Sequence, residues 1–276
     1  MKRIKDFIKD LWHVLRLPEM LILPGNLAFF LILSLAPIIT LFGMIASTLS
    51  LSTSSIIHFI GNIIPNGVMD ILEPFFNGSG LNASNILFVI IGFFVASNGP
   101  DSLITASNIL YQNKNKNYLF RRIKAIFMTF WMLLLFIFIL LVMAFGSFIL
   151  TKLLTFGPLG HFIANNYMII TVIKLGLAFF MIFVTIKILY TMAPDMKLKS
   201  KFVNRGALFA TVTIMLLTSI YSFYVTNIAH YDMIYGGLAN IAILMLLIYF
   251  VSYIIVLGIA INHNYYKYKV EMNNNE

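Results

Sequence analysis

The stretch ILFVIIGFFVASNGPDSLIT, Ile86 to Thr105, opens as an unbroken apolar run. It then meets Ala96, Ser97, Asn98, Gly99, Pro100 and Asp101 before the apolar rhythm resumes. A helix from Ile86 to Val95 rises only about 15 Å, half of a hydrocarbon core about 30 Å thick. The break at Ser97–Asp101 therefore falls at membrane depth if this stretch is a span. Proline at 100 removes one backbone donor and crowds the carbonyl of Ala96, and lipid supplies no partner for the freed groups.

Composition makes the span reading the right one. Of 276 residues, 60% are hydrophobic and 11% charged, against about 25% charged in an ordinary soluble domain. The chain is expected to be all-α and polytopic. Six transmembrane helices are expected near Leu27–Leu49, Ile86–Leu110, Ala125–Leu150, Met168–Thr191, Ala207–Ile228 and Gly237–Ile261. Each is helical because an open strand in lipid leaves its backbone unpaired. No repeat, linker or second domain is visible, so 1–276 reads as a single membrane domain.

The basic residues set the direction. Sixteen of the 19 lysines and arginines precede the first span, lie between spans two and three or four and five, or follow the sixth. The other connectors hold Asp70, Glu73 and Asp232 with Lys152 as the one basic residue. This is the positive-inside pattern, and it places both termini in the cytoplasm. Residues 1–23 read as a basic amphipathic helix at the inner interface, 51–82 as an external amphipathic segment and 263–276 as a cytoplasmic tail. Lys174 and Lys187 lie within the fourth span and are read as snorkelling to their own interfaces.

A helix restarting after the break carries Asp101 near its positive end, with Ser102, Thr105 and Asn108 on one polar face. Two arrangements satisfy that face. One is a kinked helix packed through Gly92 and Ala96, and the other is a polar cavity lined by Asn98, Asp101 and their neighbours. A charge at this depth calls for a partner, and Lys187 is the sequence candidate for Asp101. Ser34 and Pro37 in the first span, and Tyr221, Tyr224 and Asn227 at i, i+3, i+6 on the fifth, extend the candidate cavity lining. Pro37, Gly99 and Pro100 are the structural kinks.

Several chemistries are disfavoured. Cysteine is absent and no GxxxxGK[ST] loop occurs, which removes thiolate sites and the Walker A mode of ATP binding. His13, His58, His161, His230 and His263 are dispersed, with no metal-ligand spacing. No metal, cofactor or nucleic acid is expected, and the chain is not read as an enzyme. Aromatic–basic runs such as NYLFRR and NHNYYKYK fit attraction to anionic lipid at the cytoplasmic basic loops. Besides the lipid bilayer, a homo-oligomer or an envelope protein remains a candidate partner.

Three runs together, NLAFFLILSLAPIITL, LYTMAPDMKLKSKFVNRGALFATV and YVTNIAHYDMIYGGLANIAILMLLIYFVSYIIVLGIAIN, resemble the YihY/virulence factor BrkB family, formerly labelled ribonuclease BN-like. The matching features are Ser34 to Pro37, Pro194, Gly206, Tyr235 to Leu238 and Asn262. The resemblance implies a six-span protein of the bacterial inner membrane whose molecular activity is not established. Two functions from different classes stay open. One is a transporter or exporter/flippase-like handler of a small or amphiphilic substrate through a polar intramembrane cavity. The other is a non-catalytic envelope scaffold.

Overall fold

The computed structural model describes residues 12, 15–16, 18–48, 86–114, 117–134, 167–227 and 237–274. Among these, every regular element is helical, and the protein is an all-α membrane protein. We number the helices α1 (Glu19–Thr48), α2 (Ile86–Ala96), α3 (Asn98–Leu110), α4 (described over 118–134), α5 (Tyr167–Met192), α6 (Asn204–Asn227) and α7 (Gly237–Asn274). A 3₁₀ turn, Ser200–Phe202, precedes α6. Within α5, α6 and α7, the windows Leu175–Met192, Asn204–Tyr224 and Ile241–Tyr268 are long and apolar enough to cross a membrane.

Many hydroxyls inside these helices are satisfied within their own helix. Ser34, Thr105, Thr129, Thr185, Thr191, Thr211, Thr213 and Thr218 each donate to the carbonyl four residues back, at 2.6–2.9 Å. That is the partner a span offers when water is absent. The external segment 51–82 and Tyr235 lie outside the described residues.

Two helices run past the expected ends of their spans. Helix α1 starts at Glu19, inside the segment read as interfacial, because Met20 and Leu23 are buried in the main core. Helix α7 continues to Asn274, through the stretch read as a tail. Its aromatic residues explain this, since Tyr265 and Tyr266 pack against Phe202.

Helix α7 packs against α1 and α6, α1 against α2 and α3, and α5 against α6. The core gathers at one end. It takes Met20 and Leu27 from the start of α1, Ile104 from α3, Met128 from α4, Tyr190 from the end of α5, Ala207 from the start of α6 and Ile259 from the later half of α7. We call this the basic end. Farther along, α5 and α6 expose Val172, Phe180, Leu216, Ile220 and Phe223, each at 59–67%. In water such a surface would be costly; facing acyl chains it is ordinary.

Helices α6 and α7 cross closely. A methyl group on Gly206 would strike the Gly258 carbonyl oxygen, and one on Gly258 would strike the Tyr190 hydroxyl. This approach lets the Gly206 N–H donate to Asn262 Oδ1 at 2.7 Å and the Tyr190 hydroxyl donate to the Ile255 carbonyl at 2.8 Å.

Candidate functional site

The interruption after α2 is one residue wide. Ser97 keeps helical angles, φ −71° and ψ −5°, between α2 and α3. Its N–H donates to the Phe93 carbonyl, and its own carbonyl accepts from the Asp101 N–H, both at 3.0 Å. The rest of the expected break, Asn98–Asp101, forms the first turn of α3. This explains how Gly99 and Pro100 are tolerated. The first three residues of α3 have no acceptor within it for their amides, so the missing Pro100 donor costs little there.

The Phe94 carbonyl, near the end of α2, is claimed twice. Ser97 Oγ donates to it at 2.8 Å, and Arg122 Nη2 of α4 donates to it as well. Arg122 Nη1 also donates to Asn98 Oδ1 at 2.8 Å, and its guanidinium lies 3.8 Å from the Phe94 ring centroid. Arg122 is 7% exposed. A cation from one helix thus caps the negative C-terminal end of another.

Asp101 is paired with Arg121, Nε to Oδ1 at 2.7 Å and Nη2 to Oδ2 at 3.4 Å. The expected pairing with Lys187 is therefore corrected. Lys187 Nζ sits 5.8 Å from the Phe183 ring on its own helix, one turn from the end of α5, where snorkelling suffices. Arg121 wins because the short connection after α3 returns α4 alongside it.

Lys124 makes a third junction. Its ammonium donates to the Ala193 carbonyl at 2.8 Å, the Pro194 carbonyl at 3.0 Å and Asp195 Oδ1 at 2.8 Å. Asn108 completes the carboxylate, donating from Nδ2 to Asp195 Oδ2 at 2.7 Å and accepting the Asp195 N–H on Oδ1 at 2.8 Å. The Asp195 side chain is 1% exposed. Lys124 stands at the C-terminal end of α5, as Arg122 does for α2. One helix therefore caps two others with cations three residues or fewer apart.

The structure brings Asn98, Asp101 and Asn108 into this charged layer. Ser102 instead donates to Asn26 Oδ1 of α1 at 2.8 Å. Gly99 lets α3 approach Leu31 and Ser34 of α1, so α1 and α3 run antiparallel. Thr105 and Ser34 are bonded within their own helices. Pro37 lies inside α1. On α6, Tyr221 is buried with no hydroxyl partner among the described residues and Tyr224 is half-buried, while the Asn227 side chain lies outside the described residues. Arg121, Arg122, Lys124 and Asp195 were missed as site residues because charge counting assigns them all to the cytoplasmic surface. Their spacing held the clue, since each arginine follows the polar break by about the length of α3 and a short return. Among the described residues, no three His, Asp or Glu side chains stand close enough to hold a metal.

The profile described as Virulence factor BrkB matches residues 19–276. The chain belongs to that family. It is 29% identical to the ribonuclease-like protein YfkH of Bacillus subtilis (strain 168), over 96% of each chain. It is 27% identical to a UPF0761 membrane protein of Aeromonas salmonicida (strain A449), covering 91% of this chain and 86% of that one. A UPF0761 membrane protein of Alteromonas mediterranea is 28% identical, over 84% of this chain and 78% of that one. No solved structure matches. The protein is a multi-pass component of the bacterial inner membrane.

Proposed function

We propose that this member of the virulence factor BrkB family moves a small or amphiphilic substrate across the inner membrane, with the α2–α3 helix as its moving part. One observation carries the reading. The break at Ser97 is fastened from outside its own helix, by Arg122 on the Phe94 carbonyl and on Asn98. A helix interrupted within a span and clamped by another helix has two arrangements available to it, fastened and released. In the fastened state, Arg121–Asp101 and Lys124–Asp195 close the basic end. Release of α4 would free Asn98 and Asp101 to face a polar path that Ser34, Ser102, Thr105, Lys187, Tyr221, Tyr224 and Asn227 extend, with Asn108 still held on Asp195. Without a Walker A loop, a gradient or a partner drives the movement.

The test is reconstitution of the full chain into liposomes, with flux of ions and small solutes and scrambling of labelled lipids measured in parallel. Transport by the wild type that Arg122→Met alters supports the reading; silence across the whole panel ends it.

The scaffold reading is favoured by a different observation. Most polar side chains of α3 have a partner, Ser102 on α1, Asp101 on α4, Asn108 on Asp195 after α5 and Thr105 within α3 itself, as in a packed bundle that docks other proteins or lipids. We read the chain as non-enzymatic. YfkH carries a ribonuclease-like name, but hydrolysis of RNA needs acids or histidines free to hold metal or move protons. Here Asp101 and Asp195 are each held by a cation. The partners are the bilayer and, at the basic end, its anionic lipids.

A further inference from the structure

The sequence presents the basic connectors as equivalent, whereas the structure divides them. Arg121, Arg122 and Lys124 are spent inside the bundle, on Asp101, on Asn98 and the Phe94 carbonyl, and on Asp195 with two main-chain carbonyls. The connector between α5 and α6 does the opposite. Lys197, Lys199, Lys201 and Arg205 are all exposed. Among the described residues, no carboxylate pairs with any of the four.

Two of these side chains are also held in place. The Arg205 guanidinium lies 3.8 Å from the ring centroid of Tyr265, and Lys201 Nζ lies 5.2 Å from that of Phe202. Phe202 packs in turn on Tyr265 and Tyr266, at 6.2 and 5.5 Å between centroids. An aromatic floor therefore sits beneath two cations, fixing them before any ligand arrives. Arg205 also stands in the first turn of α6, which carries no acid. Its charge repeats the sign of the helix's positive end, an unfavourable placement that an anion would relieve. The cluster lies where the Asn204–Tyr224 span begins and the Ile241–Tyr268 span ends, which is headgroup depth for a lipid of the same leaflet.

We propose that Lys201 and Arg205, on the floor made by Phe202 and Tyr265, together with the exposed Lys199 whose carbonyl accepts the Phe202 N–H, form a discrete site for the phosphate of an anionic phospholipid. The cations of α4 take no part in it. The site rests on the reading that the basic end contacts anionic lipid, and it narrows that contact to one connector.

The full chain in neutral detergent is titrated with dioleoylphosphatidylglycerol, with dioleoylphosphatidylcholine as the zwitterionic control and glycerol 3-phosphate as the free-headgroup control. Affinity is read by thermal shift and by lipid-bound peaks in native mass spectrometry. With about a fivefold effect near the surface for each cation, K199Q/K201Q/R205Q lowers affinity for phosphatidylglycerol by on the order of 100-fold. The unliganded melting temperature stays as in the wild type, because all three residues are exposed. K114Q, an exposed cation of the other connector, changes affinity less than tenfold. Phosphatidylglycerol affinity retained by the triple variant overturns the site while leaving the broader lipid reading intact. Equal wild-type affinity for both lipids overturns the two together. Equal binding of glycerol 3-phosphate identifies a soluble-phosphate site and overturns the membrane assignment.

Discussion

A methyl group added at Gly258 would meet the Tyr190 hydroxyl, which is already donating to the Ile255 carbonyl, and the Gly206 carbonyl oxygen. Both obstacles are anchored, so the helices must separate. Gly258→Ala should cost about 1–3 kcal/mol, or roughly 3–10 °C in melting temperature for a chain of this size. Gly25 and Gly176 have open space at the same position. Alanine at either should leave the melting temperature unchanged or slightly raised, since it improves helix propensity. A thermal melt of the three purified variants checks this, and equal behaviour would remove the close crossing of α6 and α7. Residues of this kind show the limit of a lone sequence. Gly206 and Asn262 stand out in the resemblance to the family, but nothing in their spacing says that one donates to the other across 56 positions. Arg121, Arg122 and Lys124 were misread for a related reason. Their sign was legible, while their direction depends on how closely α4 returns beside α3.

At the scale of helices, the break between α2 and α3 separates two causes that the sequence runs together. Proline at 100 looks like the breaker, yet it occupies the first turn of α3, where its missing N–H is harmless. Pro100→Ala should change stability by less than about 1 kcal/mol, whereas proline in a helix interior costs about 3. Arg122→Met should cost more, about 2–3 kcal/mol, because it abandons the Phe94 carbonyl and Asn98 in a buried setting. The order of the two losses in denaturant or heat is the test, and Pro100→Ala as the worse variant would return the break to proline. The Lys124–Asp195 junction yields a second measurement at this scale. Lys124→Met leaves a carboxylate that is 1% exposed without its cation, a loss of about 3–5 kcal/mol. Adding Asp195→Asn should recover at least about 1 kcal/mol, since the amide leaves no stranded charge. Strict additivity would mean the pair contributes nothing. The broken span itself was legible, because an amide, glycine, proline and a carboxylate at half-membrane depth admit few explanations. Its fastening was not, since the partners come from a helix whose internal and surface cations look alike in one dimension.

For the molecule as a whole, charge sidedness and buried packing point the same way. The main core gathers at the end that carries the basic residues, with Lys197, Lys199, Lys201, Arg205 and Lys267 exposed around it. Helix α7 holds 38 residues, about 57 Å at 1.5 Å each. That exceeds a hydrocarbon core about 30 Å thick by several turns, so its later part, with Tyr268 at 60% exposure, projects from the basic end. Lysine and arginine cross a membrane poorly when they flank a span, so this end should remain in the cytoplasm. The absence of cysteine makes the prediction direct to test, because a single introduced thiol has no background. Lys199→Cys and Tyr268→Cys in intact cells should resist a membrane-impermeant maleimide and react once the inner membrane is opened. Asp70→Cys, on a connector that the six-span layout puts outside, should react before opening. If the thiol at 199 labels in intact cells while that at 70 is protected, the bundle is inverted. The phosphate-binding connector would then face the wrong leaflet, and α4 would close the outer mouth of any path instead of the inner one.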